Sequence, residues 1–405
     1  MHIGLCSPHW PPAEGANGIV SYVAAVHDHF VAQGHLVSLI SQRTMYSSDG
    51  SETSLSLPER RPDLLSRVTK GIGRRLRPSP GALPEVGQKV AQEIALAHRL
   101  KPFDILEMEE SFGWSTIVSR ALVIPVVTRL HGPHCLKPLG IRSRAQRRED
   151  RTRCEAEARA IRSAALLTAP TKAILDDTCA KSGRDLARPA AVIANPIAIR
   201  PSSPRWRLSE CERDHILMIG RFDYWKGADT LLLAFERLLR TRPAARLTLV
   251  GPDLGIEVRP GQTMKFDAFV REHLSPETRE RIDFKGLLRP DEIVPLRLKA
   301  NLIVVASRWE SFSYVLLEGM VVGCPLITTD WPGSEDVILH GETGIRTPVG
   351  DPDAMAGNVE SLLRNPDRAA ALGAAGNRRC SRTFSVEVVG NRLLDCYHSA
   401  LNLAA

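Results

Sequence analysis

The sequence predicts two consecutive α/β domains, each built on a largely parallel sheet, and three observations predict it. Short buried-strand patterns alternate with segments of helical period along the chain, which is how strand–helix–strand units read. Residues 196–214, rich in Pro, Ser and charge, interrupt the alternation and have the composition of a linker. The alternation then restarts. With 405 residues, each half is long enough to enclose its own core.

In the first half, His2 to Cys6 reads as a buried strand, Ser7 to Gly18 as a turn-rich loop, Ile19 to Gln33 as a helix and Leu36 to Ile40 as a strand. Residues 44–80 read as an irregular basic loop. Pro84 to Leu100 and the Arg-rich stretch ending at 163 read as helices. Asp104 to Met108, Val123 to Leu130, Ala165 to Ala169 and Ala191 to Ile193 read as strands. In the second half the strands are His215–Ile219, Arg246–Val250, Arg281–Lys285, Leu302–Ala306 and Pro325–Thr329. The helices are Gly227–Leu239, Asp291–Lys299 and Tyr314–Val322, with an amphipathic helix closing the chain at 385–405.

The formal net charge is +7, which favours acidic partners. Residues 58–80 carry seven Lys/Arg against two acids, and residues 141–162 eight Arg against four acids. Either stretch could dock on anionic lipid, although interleaved acids also suit a solvated helix face. No aromatic-interleaved basic motif accompanies them, so nucleic acid is not an expected partner. None of the eight cysteines stands in a C-x-x-C pair, which disfavours zinc and points to free thiols in a reducing, cytoplasmic setting. The opening MHIGLC is too short an apolar run for a signal peptide, and no run approaches the length of a membrane span.

Two segments carry chemistry. In SRWESFSYVLLEGMVVGCPLITTD, residues 307–330, Glu310 lies in the loop after a strand and Glu318 about one turn into the next helix, with seven residues between them. The amides near Ser313, Tyr314 and Val315 open that helix at the carboxyl end of a strand, where free N–H groups and the helix dipole attract phosphate and open α/β sheets bind ligands. The alternative is two surface acids on an ordinary connection. In ILMIGRFDYWKGADTLLLAF, residues 216–235, a strand ends at Gly220, Arg221 follows, and Lys226–Gly227 opens a helix. The two cations bracket one loop, where Arg can bind phosphate with two parallel hydrogen bonds and Lys acts as a point charge. The alternative there is a pair of solvated cations.

These segments resemble the retaining glycosyltransferases of the two-domain GT-B fold, the family 4 type (glycosyl transferases group 1) that uses nucleotide-diphosphate sugars. The resemblance rests on Glu310-x7-Glu318 and on Gly220-Arg221 with Lys226-Gly227. It is supported in order by GANGIVSYV, GHLVSLI, LHG at 130–132, VIANPI, LTLVG and TFSVEVVGNRLLDCYHSAL. It implies two Rossmann-like domains facing across a cleft. Residues 1–196 would form the acceptor side, completed by a helix at 385–405 that crosses back, and residues 197–384 the donor side. It further implies that Arg221 and Lys226 hold the donor diphosphate and offset charge growing on the leaving nucleotide. Glu318 would bind the ribose, Glu310 the donor sugar, and the amides of Tyr314, Val315 and Leu316 beside Ser313 a phosphate. Gly18 would let the N-terminal loop approach the diphosphate, and His131 would reach the sugar. His134 is expected to be structural.

The chain departs from the family pattern at Ser311 and Ser313, where glycines are usual, and at Asn17, the first position of a usual glycine pair. The resemblance implies transfer with retention and no catalytic metal or cofactor. The donor would be a UDP- or GDP-linked hexose-type sugar, and the acceptor a glycan, lipid-linked or small molecule, with peripheral contact at the inner membrane face through the basic stretches. A nucleotide-sugar isomerase of related fold and a non-catalytic nucleotide-sugar binder are the alternatives. Glu107, Glu109 and Glu110, after a strand of the first half, are expected to form a solvated acidic loop, the alternative being that they face the interdomain cleft and touch acceptor.

Overall fold

The computed structural model describes residues 1–12, 17–56, 84–137, 142–200, 202–259 and 262–404. The basic stretch 58–80 lies outside the described residues. The chain divides into two compact units. Met1–Pro138, Arg142–Pro196 and Val389–Ala405 form one, and Ile197–Val388 the other.

The first unit holds an eight-stranded sheet in the order β4-β3-β2-β1-β5-β6-β7-β8. Its strands are β1 (His2–Cys6), β2 (Leu36–Ser41), β3 (Thr44–Ser47), β4 (Glu52–Ser54), β5 (Ile105–Glu109), β6 (Val126–Arg129), β7 (Leu166–Ala169) and β8 (Ala190–Val192). From β2 to β8 through β1 every pairing is parallel. Helices α1 (Gly18–Ala32), α2 (Pro84–Leu100), α3 (Trp114–Ala121), α4 (Arg144–Ser163) and α5 (Lys172–Ser182) connect the strands. The chain runs from β1 to β2 on one side and to β5 on the other, so the sheet's switch point lies at the carboxyl ends of β1 and β5.

Two expectations for this unit are corrected. Residues 44–54 are not an irregular loop but the antiparallel edge strands β3 and β4. They are too short and too polar for a period-2 signal, yet Asp49-Gly50 between them, with Gly50 at φ 84, is a hairpin signature. The strand foreseen at 123–130 begins only at Val126, because Val123 is fully exposed and Pro125 has no N–H for the ladder. Helices α3 and α5 were not foreseen.

The C-terminal helix, Val386–Ala404, completes this unit's core. Val389, Leu393, Leu394, Tyr397 and Ala400 pack with Val23, Val26 and Phe30 of α1 and with Ile3 and Leu5 of β1. The approach is close enough that a Cβ at Gly390 would collide with the His29 ring. Asn391 Oδ1 and His29 Nε2 lie 3.1 Å apart, and the Tyr397 and Phe30 rings meet edge-on at 5.8 Å.

The second unit is built on a six-stranded parallel sheet in the order β14-β11-β9-β15-β16-β17. The strands are β9 (His215–Ile219), β11 (Arg246–Val250), β14 (Ile282–Phe284), β15 (Leu302–Val305), β16 (Leu326–Thr329) and β17 (Ile345–Thr347). A small sheet, β10 (Phe222–Asp223), β12 (Asp253–Arg259) and β13 (Gln262–Met264), lies beside it in the chain. The main helices are α6 (Ala228–Leu238), α7 (Phe266–His273), α8 (Pro290–Lys299), α9 (Tyr314–Val322), α10 (Pro352–Arg364) and α11 (Pro366–Thr383). Leu231, Leu232 and Phe235 of α6 pack with Leu247, Leu249, Leu302 and Val304 of the sheet and with Met355 and Val359 of α10. Strands β9 and β15 pair, Leu302 beside Ile216, although the chain visits β11 and β14 between them. Their carboxyl ends are therefore this sheet's switch point.

Tyr397 is wholly buried, so Tyr397→Ala should destabilise the first unit by about 3 kcal/mol, as large-to-small changes of buried aromatics do. In a urea titration the first unit's transition should move to lower urea, with the second unit's transition in place.

Candidate active site

At the second unit's switch point the two sequence-predicted segments come together. A Cβ at Gly227, which sits at φ 64, would collide with the carbonyl oxygen of Ala306 at the end of β15. Only glycine permits both the left-handed backbone and the approach. The loop 221–227 is thereby laid against the loop after β15. Lys226 Nζ meets Glu310 Oε1 at 2.5 Å, and Ser307 Oγ donates to the same oxygen at 2.8 Å. Glu310 is buried. Arg221 Nε donates to Asp223 Oδ2 at 2.7 Å, while Asp223 Oδ1 accepts from the Lys226 amide at 2.9 Å. One carboxylate so orients both cations.

Three further residues brace this arrangement, and sequence reasoning passed over all of them. Arg308 makes a two-pronged ion pair to Asp229 of α6, at 2.7 and 2.6 Å, and donates to the Tyr224 carbonyl at 2.7 Å. It also lies 4.3 Å over the Tyr224 ring, so the two loops are clamped together. Buried Arg297 of α8 is ion-paired with Glu318. Burial pushes the Glu318 carboxyl up, and Arg297 offsets only part of that push. Asp223, Arg308 and Arg297 each read as an ordinary charge. Only the run Arg-Phe-Asp-Tyr-Trp-Lys, with an acid between two cations, hinted at the first.

Ser313 precedes α9 at φ −106 without a side-chain cap to it. Neither Ser311 nor Ser313 adopts a positive φ, so serine in place of glycine costs no backbone strain here. Tyr314 and Val315 are half-buried in the first turn, and Leu316 is fully buried.

The remaining predicted residues, Gly18 and His131, belong to the first unit. Gly18 is the exposed first residue of α1. Asn17, in extended conformation, caps that helix by accepting from the Ile19 amide at 2.9 Å. His131 follows β6 and packs edge-on against Tyr22 at 5.0 Å. Its amide donates to Glu110 Oε2 at 2.9 Å. Burial and the nearby Arg129 charge hold its imidazole well below the usual pKa, so it is neutral. His134 is structural: its amide donates to Glu157 at 2.7 Å and its ring meets Asp150 at 2.7 Å.

The expected solvated acidic loop is corrected here. Glu107 and Glu110 are 3% and 2% exposed. Glu107 accepts from Tyr22 Oη at 2.8 Å and faces the charge of Arg129, which is fully buried. Arg129 donates to Asn195 Oδ1 at 2.7 Å and lies 4.7 Å over the Tyr22 ring. Partners on β6 and α1 took these acids out of water, and nothing in FDILEMEES announces those partners.

Two α/β units on largely parallel sheets, the second presenting paired cations and a buried carboxylate at its switch point, have the architecture of the GT-B class. The profile of Glycosyltransferase Family 4 matches residues 16–200, and that of Glycosyl transferases group 1 matches residues 205–379. The chain belongs to this family of GT-B glycosyltransferases. A glycogen synthase of Mycobacterium tuberculosis is 29% identical over 185 residues, which is 46% of this chain and 42% of that protein. The matched part is thus under half the length of that relative. Sucrose-phosphate synthase of Thermosynechococcus elongatus aligns over the whole of both chains with a TM-score of 0.76 at 20% identity. HepE of Anabaena in complex with UDP-glucose aligns over 98% of this chain and 100% of its own with a TM-score of 0.66 at 16% identity. Both share the fold.

Glu110 provides a pH test. Its carboxyl is pushed up to about 8 by burial and by Glu157 and Glu109. A folded-state value above the unfolded 4.5 means that the native protein holds the proton more tightly, so stability falls as pH rises from 4.5 to about 8. Glu110→Gln keeps an acceptor for the His131 amide and has no proton to lose. Its melting temperature should gain on that of the parent protein across this window. A constant difference would contradict the assignment.

Proposed function

We propose that the protein is a glycosyltransferase that moves a hexose-type sugar, with retention and without a catalytic metal, from a UDP- or GDP-linked donor to a glycan, lipid-linked or small-molecule acceptor. The observation that carries the reading is the Lys226–Glu310 pair at the switch point, beside Arg221 and the start of α9. A diphosphate seated there replaces Glu310 as the counter-charge of Lys226. The freed carboxylate then accepts hydrogen bonds from the sugar hydroxyls. Arg221, held by Asp223, and Lys226 stabilise the charge that grows on the leaving diphosphate as the glycosidic bond breaks, the role a metal ion has in other transferases. The amides of Tyr314, Val315 and Leu316 add the positive end of the helix. Glu318, anchored by Arg297 through one oxygen, has its other oxygen for the ribose hydroxyls.

In the same reading Gly18 and neutral His131 are the first unit's candidates for donor recognition. The acceptor attacks from the side of the departing diphosphate, and a phosphate oxygen takes its proton. Eight free cysteines suit a reducing cytoplasm. Among the described residues no helix is long and apolar enough to cross a membrane, and contact with the inner membrane face is proposed as peripheral.

The test is release of nucleotide and appearance of glycosylated product from UDP- and GDP-hexoses in the presence of chelator. Glu310→Gln should lower turnover by about a hundredfold, the usual loss for one preorganised polar group, with nucleotide diphosphate binding retained. Lys226→Ala should weaken binding and slow turnover together. Turnover close to the parent value in both variants would sink the site.

A further inference from the structure

The first unit carries a cavity of about 520 Å³ between α3 and α4, and its lining residues Phe112 and Gly113 donate their amides to the Glu157 carboxylate and the Glu110 carbonyl. It has two kinds of wall. Phe112 and Trp114, stacked with ring centroids 5.2 Å apart, form an aromatic wall, with the Arg153 guanidinium 4.0 Å over the Phe112 ring. Arg120, Arg159, Arg162 and Arg188 form a cationic rim, and all four are exposed.

Among the described residues none of those four guanidiniums is in an ion pair. The acids of α4 that do pair take other arginines: Asp150 lies by Arg142, and Glu157 by Arg153. Among the described residues no carboxylate meets a rim guanidinium. Two of the four are nevertheless held in place, by neutral acceptors. Arg162 donates to the Ser182 carbonyl at 2.6 Å, and Arg188 to the Arg162 carbonyl at 2.6 Å. Carbonyls orient a guanidinium without cancelling its charge. Thr116 and Ser163, with hydroxyls 3.3 Å apart, bridge α3 to α4 at the groove, and Ser163 Oγ donates to the Ala160 carbonyl at 3.2 Å. Four like charges converging on one concavity repel one another, and an anion in their midst relieves that.

We propose that this cavity is a binding site for a phosphate group carried on an apolar or planar body, with the guanidiniums taking the phosphate and the Phe112–Trp114 face the body. The proposal is independent of the donor-site assignment, since none of the rim residues belongs to it. Two sources share this chemistry. One is a soluble phosphomonoester. The other is a phospholipid headgroup, which the surroundings also suit: fully exposed Val123 follows Arg120 by three residues, and Leu186, 76% exposed, precedes Arg188 by two.

The full-length protein is titrated calorimetrically with phenyl phosphate and with inorganic phosphate, and co-floated with phosphatidylcholine vesicles with and without phosphatidylglycerol. Each is repeated with Arg120→Gln/Arg159→Gln, with Arg188→Gln alone, and with Lys226→Ala. Circular dichroism and melting temperature check the fold of each variant. If the ligand is soluble, phenyl phosphate binds more tightly than inorganic phosphate. The arginine variants then weaken it by about tenfold or more, the worth of one charge-assisted hydrogen bond, while Lys226→Ala does not. If the ligand is a lipid, flotation requires phosphatidylglycerol and is lost in the arginine variants. Binding in neither arm, or binding indifferent to the folded arginine variants, overturns the proposal.

Discussion

The site depends on one steric constraint, the contact of the Gly227 backbone with the Ala306 carbonyl. Any side chain at 227 would hold the loop after β9 away from the loop after β15. Lys226 would then lose Glu310, and Asp223 would orient Arg221 toward no common point. Once the approach is made, Arg308 locks it with two bonds to Asp229 and one to the Tyr224 carbonyl. A buried ion pair such as Lys226–Glu310 adds little net stability, because desolvation offsets the Coulomb attraction. Its significance lies in chemistry: a cation and a carboxylate are kept in contact at the switch point, where the proposed function seats the donor diphosphate.

The first unit is organised around charge of another kind. Buried Glu107 and Arg129 on neighbouring strands are joined by Tyr22 of α1 and Asn195. Burial, and after it the nearby Glu107 charge, raises the Tyr397 phenol on the C-terminal helix. The last helix of the chain thus lies beside a charge network built from α1, β5 and β6. Glu110 and Glu157 extend the scheme by receiving the amides of His131 and His134, which fixes the loop that carries the predicted sugar-facing histidine.

Much of the fold was legible because parallel α/β units leave strong local signals. Apolar runs such as ILMI and LIVV mark strands buried on both faces, and turn residues punctuate them. The edge strands β3 and β4 escaped because three or four half-polar residues carry no period. The site was legible in halves. Gly220-Arg221 with Lys226-Gly227, and Glu310 with Glu318, each announced a strand–helix loop. That Lys226 would touch Glu310, 84 residues away, follows only from the pairing of β9 with β15. Asp223, Arg308 and Arg297 were missed for the same reason: a charge shows its role only once its partner is known. Glu107 and Glu110 were misread as solvated because the residues that shelter them lie far off in sequence.

The most direct measurement is the melting temperature of the protein, in chelator, against matched pairs of nucleosides and nucleoside diphosphates. A ligand that binds only the folded state raises the melting point by mass action. The account predicts that UDP or GDP raises it while uridine and guanosine do not, and that the rise shrinks sharply in Lys226→Ala. Equal shifts for nucleoside and diphosphate, or a diphosphate shift untouched by loss of Lys226, would contradict the claim that this pair forms the donor site.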